Sequence, residues 1–365
     1  MSTDTILSVD GLKTQFFTES GVVQAVDGIS FDVKKGEIVG LVGESGAGKS
    51  VASRSLIRLI SSPGEIVAGE ITYKGRTLFA TEEGPDGPQP RDDMLSKEAI
   101  RREIRGNEIA MIFQDPNESL NPVFTVGSQL TEFIELNTEY SGSAAKARAV
   151  EVLHEVGIPE PEARFDEYPH QFSGGMRQRV LIAMAIACEP SLIIADEPTT
   201  ALDVTIEGQI IELVKNLQEE YETSFIWVTH DMGVVAEICD RVNVMYLGEV
   251  VEHADVDDLF YQTKHPYSKA LLESIPRPDK TTDSVEPIRG NMPSAINPPS
   301  GCRFHTRCPD AREVCVEIQP PEETFVGDSG VEQRASCLKH NDLGYDDSRE
   351  ITNDATVSSS MEGSE

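Results

Sequence analysis

The sequence predicts an α/β fold with a central parallel sheet, and three observations support this prediction. An apolar stretch at residues 37–43 runs into the glycine-rich segment GESGAGKS, which is expected to open a helix. Two continuous apolar runs, at residues 192–195 and 224–228, are typical of strands that are buried on both faces of a sheet. A helical pattern at residues 205–221 separates these two runs, as in a strand–helix–strand unit.

The N-terminal part is expected to add an antiparallel β subdomain. Short strands are predicted at residues 6–17 and 28–33, with a turn at Glu19-Ser20-Gly21 between them. The helix after GESGAGKS is expected at residues 49–60. Residues 80–93 are polar and rich in proline and glycine, so we predict a mobile loop there.

Further elements follow in the second half of the chain. A strand at residues 108–113 ends at Gln114. Residues 125–187 have a helical pattern, with apolar side chains three and four positions apart. After His253 the sequence becomes rich in proline and carries cysteines, and the acidic stretch at residues 341–365 is predicted to be disordered.

The GESGAGKS segment matches the pattern GxxxxGK[ST], whose backbone N–H groups wrap the phosphates of a nucleotide. Glycine lets the backbone approach the anion without an intervening Cβ. Lys49 adds a positive charge towards the β- and γ-phosphates, and the Ser50 hydroxyl is a ligand for Mg²⁺. The residues predicted to bind the nucleotide here are Gly43, Glu44, Ser45, Gly46, Ala47, Gly48, Lys49, Ser50 and Val51.

Two carboxylates, Asp196 and Glu197, follow the apolar strand at residues 192–195. Strand ends in a parallel sheet face the ligand crevice, so Asp196 is predicted to hold Mg²⁺ through water. Glu197 is predicted to be the general base that polarises the attacking water. His230, after the strand at 224–228, is placed to hold the γ-phosphate and to orient Glu197, and Gln114 is placed to reach Mg²⁺ or the water.

A second segment, FSGGMRQ at residues 172–178, carries a phosphate-contacting pattern that the first loop does not require. A serine hydroxyl and glycine N–H groups at the start of a helix form an anion site. Ser173, Gly174 and Gly175 are therefore predicted to contact a phosphate. A chain with both segments is expected to close around ATP together with a second copy or a relative of itself.

The combination and order of these motifs resemble the nucleotide-binding subunit of an ATP-binding cassette (ABC) transporter, over about residues 5–340. The resemblance implies a RecA-like P-loop NTPase core, with a nucleotide-binding domain at 1–255 that contains a helical subdomain at about 119–190. It also implies ATP and Mg²⁺ as cofactors, and ATP hydrolysis coupled to transport as the activity.

The resemblance further implies individual roles. Gln114 would be the switch residue between the nucleotide and the transport channel, and the Ser173–Gly175 segment would bind the ATP held by the opposite subunit. Asp203 would sit beside the Glu197 turn. An aromatic residue that precedes the phosphate loop usually stacks on adenine in this family. Phe16 and Phe17 are the two candidates, and the distance to Ala25 favours Phe16.

A finer resemblance is to the ATPases of dipeptide and oligopeptide importers, a group that also includes nickel importers. It rests on FQDP and SLNP within residues 113–122, YPHQ at 168–171 and HPY at 265–267. It implies a second ATPase subunit, with a heterodimer favoured over a homodimer. It also implies two transmembrane permeases, an extracellular peptide-binding protein and a location at the cytoplasmic face of the cell membrane.

Four cysteines cluster in the C-terminal extension predicted at residues 256–340, and they are Cys302, Cys308, Cys315 and Cys337. Disulfides are rare in cytosolic proteins, and four thiolates suit zinc or an iron–sulfur cluster. The usual C-x-x-C pair of a zinc ribbon is absent from this group. Relatives with this arrangement resemble [4Fe–4S] proteins, so we favour that cluster over Zn²⁺ and over unligated thiols. Cys188 and Cys239 are predicted to be core residues.

Composition limits the class of function. Lys and Arg number 31 against 63 Asp and Glu, a net charge of −32, which argues against nucleic acid as the main ligand. The charge fits either an ordinary solvated acidic surface or a salt-rich cytoplasm that screens it, and we favour a halophilic prokaryote. The N-terminus shows no signal peptide, and the longest apolar run, residues 180–188, is far below the ~20 residues of a membrane span. A cytosolic chain that meets the membrane through partners is expected.

Two other classes of protein share parts of this pattern. A non-transport ABC ATPase that acts on nucleic acid usually carries two cassettes or long coiled-coil insertions and a basic face, whereas this chain has one cassette and a negative charge. A P-loop kinase has no need of the Ser173–Gly175 segment. Both alternatives are weaker than an importer ATPase.

Overall fold

The computed structural model describes residues 4–85, 87–200, 202–275 and 288–346. The strands are β1 (Thr5–Thr18), β2 (Gly21–Lys34), β3 (Ile38–Val42), β4 (Gly64–Tyr73), β5 (Arg76–Gly84), β6 (Gly87–Pro90), β7 (Ile109–Ile112), β8 (Leu192–Asp196), β9 (Ser224–Thr229), β10 (Arg241–Tyr246), β11 (Glu249–Asp255), β12 (Glu323–Val326) and β13 (Glu332–Ala335).

The α-helices are α1 (Lys49–Leu56), α2 (Lys97–Ala99), α3 (Pro116–Ser119), α4 (Val126–Asn137), α5 (Ser143–Glu155), α6 (Pro161–Arg164), α7 (Gly174–Ile186), α8 (Val204–Tyr221), α9 (Met232–Ile238), α10 (Val256–Tyr261), α11 (Pro266–Glu273) and α12 (Glu313–Glu317). A π-helical turn (Ile100–Ile104) and two 3₁₀ turns (Pro169–Gln171 and Leu338–His340) complete the regular structure of the described ranges. No helix in these ranges has the length and apolar character that crossing a membrane requires.

The strands form two sheets. The larger has the order β12-β13-β11-β10-β3-β9-β8-β7, and its strands from β10 to β7 run parallel. The smaller is antiparallel, with the order β2-β1-β4-β5-β6. The predicted parallel core is confirmed, because every residue of β3, β8 and β9 is buried, as the continuous apolar runs indicated.

The register of the parallel strands brings their carboxyl ends to one edge. Val42 pairs with Thr229, Val228 with Asp196, and Ala195 with Ile112. The residues that follow these strands therefore leave the sheet side by side. This edge positions the phosphate loop next to the segments that carry Gln114, Glu197 and His230.

The prediction of a mobile loop at residues 80–93 is wrong. Strands β5 and β6 form a hairpin in which Thr81 pairs with Pro90 and Gly84 with Gly87. β6 lies at the outer edge of the smaller sheet, where a proline that lacks an N–H donor removes no ladder hydrogen bond from a second neighbour. The prolines and glycines that indicated a loop are therefore compatible with this edge strand.

The C-terminal part packs back onto the rest of the chain. β13 pairs with β11, and β12 pairs with β13, so this hairpin extends the larger sheet. The prediction that disorder begins at residue 341 places its start too early in the chain. The Tyr345 hydroxyl donates to the Asp310 carbonyl oxygen at 2.7 Å. The remainder of that prediction, residues 347–365, lies outside the described residues.

Candidate nucleotide site and cysteine cavity

A cavity of about 840 Å³ lies at the carboxyl edge of the parallel strands. It brings together most of the predicted nucleotide residues and all three predicted catalytic residues. The predicted residues that line it are Glu44, Ser45, Gly46, Ala47, Gly48, Lys49, Ser50, Val51, Gln114, Glu197 and His230.

Two glycines of the loop are required by close backbone approaches. Gly43 and Gly48 have φ angles of 154° and 102°, which side chains rarely adopt. A Cβ at Gly43 would lie 2.2 Å from the Met245 carbonyl oxygen, and one at Gly48 would lie 2.2 Å from the Ala25 carbonyl oxygen. The loop therefore folds tightly against β2 and the end of β10 only because these positions lack side chains.

Lys49 is buried at the base of this loop. Its Nζ donates to the carbonyl oxygens of Gly43 at 2.8 Å and Glu44 at 3.2 Å, and lies 3.5 Å from Glu197 Oε1. Burial lowers the pKa of Lys49, and the nearby Glu197 carboxylate opposes this shift. The ammonium group is thus held by the loop at the point where α1 begins.

Ser50 and Asp196 offer oxygen atoms that suit a hard cation. The Ser50 hydroxyl donates to Asp196 Oδ1 at 2.8 Å, while Asp196 Oδ2 is buried without a hydrogen-bond partner and lies 3.7 Å from Arg54 Nη2. Burial raises the pKa of Asp196, and the Ser50 hydrogen bond opposes this. Mg²⁺ is usually held by one or two carboxylates together with substrate phosphates, so this pair fits it.

Glu197 lies at the centre of the polar contacts. Its Oε2 accepts from Gln114 Nε2 and from the Thr200 hydroxyl, both at 3.1 Å, and is 3.5 Å from His230 Nδ1. Its backbone has a φ of 50°, a left-handed conformation that is strained for a residue with a side chain. The surrounding bonds hold this carboxylate over the cavity in spite of that strain.

The second phosphate-contacting segment and Asp203 do not reach this cavity within the chain. Ser173 caps α7 by accepting from the Met176 N–H at 3.3 Å, and Asp203 caps α8 by accepting from the Ile206 N–H at 3.0 Å. A Cβ at Gly175 would lie 2.6 Å from Ile206 Cγ2. Ser173 and Gly174 are exposed at the start of α7, so a second molecule has access to them.

Phe16, the predicted adenine-stacking residue, does not line the cavity. It pairs with Gly64 across β1 and β4, and its ring covers that glycine: a Cβ at Gly64 would lie 2.6 Å from Phe16 Cε1. The ring thus fills the space that a side chain at position 64 would occupy. Phe17 is also absent from the lining, and is 47% exposed.

Several lining residues were missed by the sequence reasoning. Val23 and Ala25 come from β2, and Ile288, Met292 and Arg307 come from the C-terminal part. Val23 and Ala25 precede the loop at a distance that could have indicated them. For the three C-terminal residues the sequence offers no signal, because they are remote from every nucleotide motif.

The four clustered cysteines surround a second, much smaller cavity of about 20 Å³. Cys302, Cys308, Cys315 and Cys337 all line it, together with other side chains that include Phe304. Burial raises the pKa of Cys302 and of Cys308 to about 12 and that of Cys337 to about 11. Across the described ranges, no group of three or more His, Cys, Asp or Glu side chains is arranged to hold a metal ion.

The two remaining cysteines lie elsewhere. Cys239 is buried, and its Sγ would lie 3.0 Å from a Cβ at Gly40. Cys188 is partly buried after α7. Neither lines the cysteine cavity.

Comparison with known proteins addresses the family directly. The model of the ABC transporter family matches residues 26–200, and the model of the oligopeptide/dipeptide transporter C-terminal region matches residues 251–315. The oligopeptide transport ATP-binding protein AppD of Bacillus subtilis is 49% identical, over 87% of this chain and 92% of the relative. The chain belongs to the ABC transporter ATP-binding proteins.

Other relatives agree with this family. The dipeptide transport ATP-binding protein DppD of Escherichia coli is 45% identical over 86% of this chain and 92% of its own length. Among solved structures, the dimeric, post-hydrolysis ATP-binding cassette MJ0796 bound to ADP and Pi matches with a TM-score of 0.58 and 26% identity, over 68% of this chain and 98% of that one. The predicted ABC ATPase fold is confirmed, and the ABC protein described here is an ATPase.

Proposed function

We propose that this ABC ATPase energises the import of dipeptides or oligopeptides. The observation that carries the proposal is the match of residues 251–315 to the oligopeptide/dipeptide transporter C-terminal region, beyond the cassette itself. Relatives that are 45–49% identical and carry dipeptide or oligopeptide transport names support the same cargo class. A nickel or other small-solute importer is the alternative within the family.

We propose that the residues of the large cavity bind ATP and catalyse its hydrolysis, each in a separate role. The loop N–H groups and the Lys49 ammonium bind the phosphates, while Ser50, Gln114 and Asp196 would hold Mg²⁺, which neutralises phosphate charge when bound. Glu197 orients the attacking water and accepts its proton, since its carboxylate is already fixed by hydrogen bonds. His230, at 3.5 Å from Glu197, keeps that carboxylate in position and faces the γ-phosphate.

A dimer completes this site in our proposal. Ser173, Gly174 and Gly175 of one subunit would contact the ATP held by the other, because they are remote from the cavity of their own chain, and Asp203 would lie at the same interface. We favour a heterodimer with a related ATPase over a homodimer. The dimeric form of the solved cassette MJ0796 supports two-subunit assembly.

The membrane partners are proposed to be two permeases, served by an extracellular peptide-binding protein. The segment from Gln114 to Tyr140 presents exposed apolar side chains where the permeases would bind. They are Val123 at 70%, Phe124 at 54%, Leu136 at 77% and Tyr140 at 49% exposure. Binding there places the ATPase at the cytoplasmic face of the membrane.

We propose that the four cysteines hold a [4Fe–4S] cluster, with Zn²⁺ as the alternative. Their convergence on one cavity supports a shared ligand. The preference for the cluster over Zn²⁺ rests on the resemblance of the cysteine arrangement to that of [4Fe–4S] relatives and on the absence of a C-x-x-C pair from this group. The raised thiol pKa values mean that ligation would release protons.

We also keep the predicted division of the chain as a proposal: a nucleotide-binding domain at 1–255, with a helical subdomain at about 119–190, and an extension at 256–340. The family-model matches at 26–200 and 251–315 support a boundary near residue 250. The net charge of −32 supports a salt-rich cytoplasm as the working environment of the protein.

Uptake in cells that lack this chain tests the function. A labelled dipeptide, a longer peptide and nickel are supplied, and cells are complemented with the parent chain or with Glu197→Gln. Loss of peptide uptake that only the parent restores is expected. Loss of nickel uptake alone, or no change in any uptake, would contradict the peptide importer and leave the ABC ATPase.

A further inference from the structure

The C-terminal extension is fastened to the phosphate loop by Arg307. The Arg307 guanidinium donates to both carboxylate oxygens of Glu44, with Nη1–Oε2 at 2.6 Å and Nη2–Oε1 at 3.0 Å. Its Nε donates to the Arg289 carbonyl oxygen at 2.8 Å, and the side chain is only 3% exposed. A bidentate pair of this kind fixes orientation as well as distance.

A second attachment lies on the other side of the cavity. The Gln24 N–H of β2 donates to the Ala295 carbonyl oxygen at 2.9 Å. The next residue, Ile296, packs so closely on Gly21 that a Cβ there would lie 2.8 Å from Ile296 Cγ2. Residues 288–296, which we call the strap, are thus joined to β2, and Arg307 holds the strap to the phosphate loop.

The strap lies along one wall of the nucleotide cavity. Met292 and Ile288 line the cavity, and Met292 Sδ would lie 3.6 Å from a Cβ at Gly46. Val23 and Ala25 of β2 line it as well. These four side chains are apolar, whereas Lys49 and Glu197 supply charges. The cavity lining therefore combines charged and apolar side chains. This combination is complementary to a nucleoside triphosphate, which has charged phosphates and a flat base.

The side chain usual for holding a base is missing here. Among the described residues that line the cavity there is no Phe, Tyr or Trp, and Phe16 is packed on Gly64. Methionine is suited to the same task, because its flexible thioether makes favourable contacts with aromatic rings. Met292 is partly buried and is held at both ends of its segment.

We propose that the strap is part of the nucleotide site, with Met292 and Val23 forming the slot that holds the purine ring. The inference rests on the proposed ATP site and adds to it the residues that bind the base. Neither side chain offers a hydrogen bond to a base edge, so the slot contacts the faces of the ring. ATP and GTP are therefore bound through it in the same way.

Equilibrium binding to the full chain tests the slot, with ATP, GTP and inorganic tripolyphosphate as ligands in the presence of Mg²⁺. Met292→Ala is expected to weaken ATP and GTP by about fivefold and tripolyphosphate by less than about twofold. Met292→Leu keeps the apolar volume and should remain within about twofold of the parent for all three ligands. Met94→Ala, a partly buried methionine outside the cavity, is the matched control and should change none of them.

Two results would overturn the slot. One is a Met292→Ala variant that binds ATP as tightly as the parent does. The other is an equal loss of ATP and tripolyphosphate affinity, which would mean that the substitution disturbs the phosphate loop instead of the base. A parent chain that binds neither ligand, or a Lys49→Ala variant that still binds both as the parent does, would contradict the ATP site itself.

Discussion

The nucleotide cavity and the cysteine cavity are built in opposite ways. The first, of about 840 Å³, is lined by a glycine loop and by charged or amide side chains from neighbouring strand ends. The second, of about 20 Å³, is lined by four cysteines that are up to 35 positions apart, from Cys302 to Cys337, of which Cys315 lies in α12. A large cavity suits a substrate that enters and leaves, whereas four thiols around a small cavity would suit a ligand that stays bound.

The two cavities are nevertheless connected by residues that are neighbours in the sequence. Arg307 contacts Glu44 of the nucleotide cavity, and the next residue, Cys308, lines the cysteine cavity. The loop that carries both is held further by Arg303, which donates to the Leu247 carbonyl oxygen and pairs with Asp27 of β2. Cys308 is therefore connected to the phosphate loop through one peptide bond to Arg307 and the ion pair between Arg307 and Glu44.

The largest effect is expected at the centre of the nucleotide cavity. Glu197→Gln should lower ATP turnover by about 100-fold or more, because the amide does not accept the proton of the attacking water. ATP binding should persist, since Lys49 and the loop are unchanged. Steady-state hydrolysis and equilibrium binding are the measurements.

A matched control exists for this variant. Glu189 is also a glutamate with a left-handed backbone, at φ 51°, but it lies outside both cavities. Glu189→Gln should hydrolyse ATP like the parent. If Glu197→Gln also kept parental turnover, the general-base role would be wrong.

The proposed cluster in the cysteine cavity is tested by visible absorbance and iron content. Cys302→Ser should lose the visible absorbance and the bound iron of an anaerobic preparation, because an alcohol is a poor replacement for a thiolate ligand of iron. Cys188→Ser, outside this cavity, should retain both. A colourless parent that contains one zinc would favour the alternative metal, and a parent that contains neither metal would remove the site.

Salt should act on the surface and spare the enclosed cavity. With a net charge of −32, raising KCl from about 0.1 M to about 1 M shortens the screening length from about 10 Å to about 3 Å. The thermal midpoint is expected to rise by about 5 °C or more, while metal content stays constant. If a non-ionic osmolyte of matched osmolality raised the thermal midpoint by the same amount, the cause would not be electrostatic.

The seam between the cassette and the extension should show a pH dependence. His253 Nδ1 is 2.7 Å from Asn243 Oδ1, and the backbone of His253 pairs with Arg334 of β13. Burial and the charges of Arg334 and Arg241 lower the pKa of His253 to about 3. Below pH 6.5, the ordinary pKa of histidine, the unfolded chain therefore binds more protons than the folded chain. The contribution of His253 to the free energy of unfolding is complete above that pH and is lost as the pH falls.

Chemical unfolding between pH 4.5 and 6 measures that slope. The parent should lose about 1 kcal/mol more per pH unit than His253→Gln, because each proton taken up only by the unfolded chain costs about 1.4 kcal/mol per unit. His154→Gln, on the surface helix α5, should keep the parental slope. Identical slopes in the parent and His253→Gln would show that His253 does not contribute.

The smallest effect is expected at Phe16. Phe16→Ala should leave the dissociation constant of ATP within about twofold of the parent, since the ring packs on Gly64 outside the cavity. The substitution should instead reduce thermal stability through the lost packing. A large loss of ATP affinity without a loss of stability would return Phe16 to the adenine-binding role.

Much of the fold was accessible from local pattern. The buried strands β3, β8 and β9 were recognisable because a strand with two buried faces must be apolar throughout. The hairpin β5–β6 was not, because its sheet edge accepts the prolines that elsewhere exclude a strand. A proline therefore argues against a strand in the centre of a sheet, but it does not argue against a strand at the edge.

The sequence motifs were sufficient to predict the phosphate loop and the carboxylates at the strand ends, because backbone spacing and strand direction alone bring these groups to one edge of the sheet. The other half of the nucleotide cavity depends on contacts that no local pattern encodes. Glu44 and Arg307 are 263 positions apart, and Met292 reaches the same cavity from a segment without regular structure. Long-range packing places such residues, because their positions follow from the whole surface on which the extension folds.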